Sequence, residues 1–448
     1  MKYFHIVSDS NAWYDQVSGG TLDGPNVTVT EDGKAYFENL ANDQSNPALM
    51  EIARNAGWVA QNATAMTYED AYNVTNEQFN NASVSVAQDG AVNGYDSTFK
   101  NLEHFEEFKY FTQVTSTTYS WNAETSAATG GFFNATKLYS IKFPVSLKRL
   151  GARSFMYCKS LRSVEFPPNC QGMEGQYCFV YTNQLSKVKF NESYNVISNM
   201  AFYTDDGVAC EFDIPDNNRI TMMSNQSMVH YWHSTLKNPV LRLPNIVTYG
   251  YEVWIHQVGP KEIHFGPRLK TLGGGSAYTG TYNDIFNPYL DVVTVDSENP
   301  DIKAVNNIVY QKDGTVCYGG ADYGLSKQKT VTVAEGVTLI VSGAFRDLIA
   351  GLDGDEQMCP WFDASLRICE NLVLPSTLTT IGDRVCQYSQ LKRVVIYATT
   401  PPTRNGMVPF ISSTKIYVPS EALQAYKTAW SNQASKIEAI TQDVLNAL

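Results

Sequence analysis

Two histidines bracket an aromatic pair in His230-Tyr231-Trp232-His233. A third, His256, follows Tyr249, Tyr251 and Trp254 a short way on. Neutral imidazole nitrogens are common metal ligands, so closely paired histidines are the start of a metal site. This segment lacks the glutamate of an H-E-x-x-H arrangement, and no third ligand accompanies it. No metal is therefore expected. The flat rings say more, because aromatic faces stack on sugars and anchor protein interfaces. Tyr231, Trp232, His233, Tyr249, Tyr251, Trp254 and His256 are the candidate ligand-binding residues. The competing reading is that some of them plug the core where a repeat breaks.

Other chemistry is thin. Asp296, Glu298 and Asp301, like Asp353, Asp355 and Glu356, do not follow the twelve-residue calcium loop and read as turns. Gly273-Gly274-Gly275-Ser276 has no following Gly-Lys-Ser/Thr, so it is not a phosphate cradle. There is no G-x-S-x-G elbow. No catalytic residue and no cofactor is expected, and the chain reads as a non-enzyme.

Composition narrows the class. Charged residues are 17% of the 448, aromatics 12%, and the formal net charge is -12. An acidic chain without a basic cluster repels nucleic acid. No run of 18 apolar residues is present, so no membrane insertion by a helix is expected. The start, Met1-Lys2-Tyr3-Phe4-His5, does not read as a secretory leader. The eight cysteines form no C-x-x-C pair and are expected to be free, mostly buried thiols.

The elements that must carry any site come from a repeat. Phe155, Phe179 and Phe202 are 24 and 23 residues apart; Leu138, Leu161 and Leu185 are 23 and 24 apart. Phe143, Phe166 and Phe190, with Ile141, Val164 and Val188, keep the same steps. Within a unit, Leu161-Arg162-Ser163-Val164-Glu165-Phe166 alternates apolar and polar, the pattern of a strand buried on one face, and Pro167 ends it. One such unit cannot bury its apolar side alone. Stacked neighbours turn each Leu and Phe into a rung of a continuous core. The register returns at Val337–Phe345, Leu372–Gly382 and Leu391–Ile396, with Val385 where Phe is expected.

These units resemble the BspA-like leucine-rich repeats of surface proteins from anaerobic, often gut-dwelling bacteria. The order is leucine, strand, proline, an isoleucine-glycine turn, Ala-Phe, and a Cys three residues before the next Leu, as at Cys158 and Cys369. Val295–Pro300 followed by Ile308–Gly314 resembles the family's longer unit. Thr400-Pro401-Pro402, Ile416–Pro419 and Ala425–Trp430 resemble its C-terminal end. The resemblance spans roughly 102–440. It implies an α+β, mainly β fold: a leucine-rich-repeat solenoid with a small N-terminal α+β domain and a C-terminal helical cap.

The expected domains are an N-terminal anchor domain over 1–100, the solenoid over 101–413 with an irregular insertion at 207–290, and the cap over 414–448. In the first, Asn26–Thr30 and Lys34–Phe37 flank a hairpin turn, Pro47 to Ala60 reads as a helix, and Thr67–Ala71 starts another. In the cap, Ser420 is expected to start a helix, and Ile437, Ile440, Val444, Leu445 and Leu448 a second. The function expected is non-catalytic binding or structure. The apparent lack of a leader and the non-repeat N-terminal domain point to a phage virion component: a fibre, spike or decoration protein. Its partners would be other virion proteins, copies of itself, or a bacterial surface glycan or protein receptor. The alternative is a secreted or cell-surface bacterial adhesin binding host glycan or protein.

Overall fold

The computed structural model describes residues 47–63, 66, 68–87, 95–117, 120–122, 127–129, 131–204, 206–229, 234–254, 259–273, 285–348, 359–387, 389–404, 409–410 and 414–448. The predicted hairpin at 26–37 lies outside them. The chain forms two compact units, Met1–Arg219 and Ile220–Leu448. The division falls inside the repeat region.

In the first unit a small antiparallel sheet, Val84–Ala87 with Tyr95–Ser97, Ala127–Thr129 and Ser120–Asn122, precedes repeats whose strands are short and parallel. Ser163–Glu165, Lys187–Lys189 and Glu211–Asp213 form one ladder, and Arg149–Leu150, Gly172–Met173 and Val196–Ile197 a second. Each rung contributes one strand to each ladder. Leu138, Leu161, Leu185, Phe155, Phe179 and Phe202 are all fully buried. The rings of Phe143 and Phe166 lie 6.2 Å apart and 2° from parallel.

The first rung is closed by the helical segment before it. Helices Pro47–Asn55 and Asn76–Ala82 pack within the same unit. The second helix starts with a capping box, in which Thr75 and Gln78 exchange side-chain and main-chain bonds. Phe79 stacks 4.9 Å from Phe108 and lies 5.6 Å from Phe132. Asn76 Oδ1 accepts the main-chain N–H groups of Thr115 and Ser116, both at 2.9 Å, so a side chain satisfies donors beside the terminal strand Ser116–Thr117.

In the second unit the ladders continue the same plan. Met222–Met223, Thr248–Tyr249 and Thr271–Leu272 pair in parallel. So do Val240–Leu243, Glu262–Phe265 and Val292–Val295. Among the described residues of 207–290, Glu211–Asp213, Met222–Met223, Val240–Leu243, Thr248–Tyr249, Glu262–Phe265 and Thr271–Leu272 are ladder strands. The loops between strands vary in length while the backbone ladder keeps register. Beyond them, Thr330–Thr332, Asn371–Leu374, Arg393–Ile396, Lys415–Val418 and Ile437–Ala439 form a five-stranded parallel sheet.

The C-terminal region also differs from its expectation. Ser420 does not cap: a 3₁₀ turn, Ser420–Ala422, leads into helix Leu423–Ala429 with no side-chain cap bond. Tyr426 donates to the Ala398 carbonyl at 2.9 Å and the Trp430 indole to the Pro402 carbonyl at 3.2 Å. Ile437 belongs to a strand. The last helix is only Gln442–Ala447, and Leu445 is exposed.

Candidate functional site

Structural slots decide which nominated aromatics are available. In the first unit the second residue of each second-ladder strand is buried: Leu150, Met173, Ile197. In the second unit the same slot holds Met223, Tyr249 and Leu272. Tyr249 is thus a rung residue, with its ring 5.1 Å from and edge-on to Phe265. Burial pushes its phenol well above the ordinary range. Five residues on, Trp254 takes the slot that Phe155, Phe179 and Phe202 fill in the first unit. The Met228 N–H bonds to the Val253 carbonyl as the Phe155 N–H bonds to that of Cys178. Trp254 is 2% exposed. Both rings are core, so neither offers a face to a ligand. Tyr251 is half-buried, its N–H donating to Asn225 Oδ1 at 3.2 Å. Tyr231, Trp232, His233 and His256 lie outside the described residues.

The same register assigns the aromatic slot after Ile381 to Cys386, because the Phe345 N–H bonds to the Val385 carbonyl. Val385 is the residue before it. All eight cysteines are buried and free. Burial lifts Cys359 and Cys369 to about 11 and Cys170, Cys178 and Cys317 to about 12, so none is a thiolate near neutrality.

The acidic turn at 296–301 is structural. Asp296 Oδ1 accepts the Glu298 N–H at 2.9 Å. Buried Asn299 donates to the carbonyls of Gly266 and Leu269 and accepts from Asp301 and Ile302. Among the described residues no group of three His, Cys, Asp or Glu side chains converges as metal ligands would. Asp353, Asp355 and Glu356 lie outside them.

A groove in the second unit opens to solvent away from the nominated aromatics that the structure describes. The sheet ending at strand Val292–Val295 and the five-stranded sheet starting at Thr330–Thr332 are separate. Between them in sequence is an antiparallel hairpin, Ile302–Val305 and Ile308–Gln311. Its turn residues Asn306 and Asn307 have φ of 50° and 64°, the left-handed region that tight hairpin turns demand and asparagine tolerates. Asn307 Oδ1 accepts the Val293 N–H at 3.2 Å, and its Nδ2 donates to the Asp291 carbonyl at 3.0 Å. This side chain bonds to the edge strand where a further strand would otherwise pair. An open groove of about 710 Å³ results, lined by Val293, Thr294, Val295, Ala304, Asn306, Asn307 and Gln328. Its lining carries amides, a hydroxyl and aliphatic carbon, and no charge. Beside it, His264 Nδ1 lies 2.7 Å from Thr294 Oγ1 and Nε2 3.2 Å from Glu262 Oε2, which fixes the ring. A two-asparagine turn between Ile302–Val305 and Ile308–Gln311 is the sequence signal that could have found it.

A second polar cluster is closed. Asp322 Oδ2 accepts the Asp347 N–H at 3.0 Å, and Arg367 donates to the Asp347 carbonyl at 2.6 Å. Burial first, and then the neighbouring Asp347, hold the Asp322 carboxyl well above the ordinary carboxylate range. The cavity it borders is about 10 Å³, room for one water.

Comparison with known proteins identifies the repeat. Residues 104–227 match the BspA type Leucine rich repeat region family in six copies. No curated protein matches the chain. Among solved structures, the chain is similar to a leucine-rich repeat protein from Eubacterium ventriosum, with 14% identity, 68% of this chain and 73% of that one covered, and a TM-score of 0.37. It is similar to a leucine rich cell surface protein from Faecalibacterium prausnitzii, with 16% identity, 77% and 84% covered, and a TM-score of 0.38. It is also similar to the pneumococcal vaccine antigen PcpA, with 13% identity, 73% and 85% covered, and a TM-score of 0.29.

Proposed function

We propose that this chain is a non-catalytic recognition module of the bacterial cell surface, and that the groove beside Asn306 holds a neutral glycan. The observation that carries the reading is the groove itself. Its donors and acceptors, on Thr294, Asn306, Asn307 and Gln328, are uncharged. Its aliphatic wall, Val295 and Ala304, matches the C–H faces of a sugar. Preformed concavity with a few convergent polar groups is the usual make-up of a small-ligand site. The match of residues 104–227 to BspA type repeats supports an extracellular setting. A virion role as fibre, spike or decoration protein draws no support from that match.

The test is a panel of neutral and acidic glycans, followed by calorimetry with the best binder. Asn306→Gly keeps the turn's backbone freedom and removes the amide; Gln328→Ala removes a second lining amide. Each is expected to weaken binding about tenfold, the loss of one or two ligand hydrogen bonds, with the melting temperature unchanged. Binding confined to acidic glycans, or indifferent to both substitutions, overturns the reading.

A further inference from the structure

Part of the groove beside Asn306 is lined by the main chain itself. Strand Val292–Val295 is the last of its sheet, and no strand of the described residues pairs with its outer side. Main-chain groups alternate in direction along a strand, so the bonds made to one side reveal what faces the other. The Val292 and Asp296 N–H groups donate back to the carbonyls of Lys261 and Phe265 in the preceding rung, at 3.3 and 2.9 Å. The odd residues between them therefore point away from that rung. Val293 does so, because its N–H donates to Asn307 Oδ1 at 3.2 Å. Asn307 directs its other amide atom to the Asp291 carbonyl at 3.0 Å. The Val293 carbonyl and both main-chain groups of Val295 are left turned to the groove, which Val293 and Val295 line.

A strand edge is complementary to a peptide unit: a planar trans amide whose C=O and N–H point opposite ways, one to the edge and one away from it. The lining supplies side-chain amides, Asn306 and Gln328, that can meet the end pointing away. It also supplies half-buried hydrocarbon on Val295 and Ala304. It supplies no charge, and Lys327, the cation next to Gln328 in the chain, is held by Asp291 at 2.7 Å.

We propose that the sugar seated in this groove is N-acetylated, and that its acetamido group takes the place of a peptide unit on the edge at Val293–Val295. The inference rests on the glycan reading of the groove and names the class of sugar. The acetamido oxygen accepts the Val295 N–H, the acetamido N–H turns to a side-chain amide oxygen, and the methyl lies on Val295 and Ala304. A hydroxyl in the same place brings no methyl to that hydrocarbon. A free amino group, as an ammonium, finds no carboxylate in the lining.

Three disaccharides that differ only at carbon 2 of each ring provide the test by calorimetry on the full chain: di-N-acetylchitobiose, its de-acetylated diamine, and cellobiose. The acetylated sugar is expected to bind at least about tenfold more tightly than the other two, the effect of one or two hydrogen bonds. Val295→Pro removes a main-chain donor that the ladder does not use, a change that edge strands tolerate, and is expected to lower that affinity about tenfold. A reading free of substitutions comes from hydrogen exchange followed by NMR. Saturating di-N-acetylchitobiose should slow exchange of the Val295 amide at least about tenfold, and cellobiose should not. Equal binding of the three sugars, still weakened by Asn306→Gly, overturns this inference and leaves the glycan reading standing. Binding of no neutral glycan at all overturns both. Unchanged exchange at Val295, or equally tight binding of N-acetylalanine methylamide, which carries the amides without the sugar, would overturn the inference as well.

Discussion

The rings of Phe155 and Phe179 lie 5.0 Å apart and 7° from parallel, and Phe179 stands in nearly the same relation to Phe202, at 5.1 Å and 8°. That separation is close to the spacing of paired strands, so the rings repeat at the step of the backbone ladder. Phe179 touches both neighbours and has no solvent exposure. Phe179→Ala is expected to cost about 3–5 kcal/mol, the range for an aromatic removed from a packed core. Urea unfolding of the two proteins measures it. A loss below about 1 kcal/mol would mean that the stack collapses to fill the gap.

Asn299 makes four hydrogen bonds with no exposed surface, two from its amide nitrogen and two to its oxygen. Asn299→Leu keeps the volume and removes four hydrogen bonds to the main chain, leaving the Gly266 carbonyl only its bond from the Leu269 N–H. At about 1–3 kcal/mol for each buried group left unsatisfied, this should destabilise the second unit more than any exposed substitution in the same turn, such as Glu298→Ala. Differential scanning calorimetry of the two variants decides it.

The raised carboxyl of Asp322 ties stability to pH. Its ordinary value is 3.8 and the folded value lies well above that. The folded state therefore binds the proton more tightly, and stability falls as pH rises from the unfolded value through the folded one. Asp322→Asn keeps an acceptor for the Asp347 N–H and cannot ionise. It is expected to raise the melting temperature at pH 7.5 by a few degrees, about 2–4 °C for each kcal/mol relieved. The gain should shrink to nothing near pH 4. A gain that is constant with pH would place the effect elsewhere.

The thiols give a separate reading on burial. A thiolate-selective aromatic disulfide should label none of the eight cysteines of the folded chain at pH 8 and all eight in guanidinium. With increasing pH, Cys359 and Cys369, near 11, are expected to react before Cys170, Cys178 and Cys317, near 12. Mass mapping of the labelled peptides gives the order.

Much of the fold was legible because its spacing is kept by side chains that stack on their own kind. The Phe155, Phe179 and Phe202 steps are visible because each slot holds the same residue. The described strands between 207 and 290 keep the same ladder but their sequence reads as irregular, because their slots demand only apolar volume. The position two residues before each second-ladder strand holds Leu147, Cys170 and Tyr194 in the first unit, and Ile220, Ile246 and Leu269 in the second; all six are buried. The aromatic cluster around Tyr249 and Trp254 misled for the same reason, since a ring in a rung and a ring at a binding face are the same letter. Of the groove at Asn306, only the two-asparagine turn was there to be read; the separation of the two sheets beside it was not, because no residue type encodes a missing strand neighbour.

The left-handed residue two places before the aromatic slot is Arg153, Tyr177 and Met200 in the first unit, and Gln226, Glu252, Gly343 and Arg384 in the second. Only one of these is glycine, although glycine alone adopts that backbone without penalty. The slot is fixed by the rung's path and is indifferent to the side chain it displays. A gene encoding such a chain can therefore rewrite this row of letters codon by codon, or duplicate a block of 23 or 24 codons, and lengthen the wall by one strand spacing while the neighbours on either side keep their contacts.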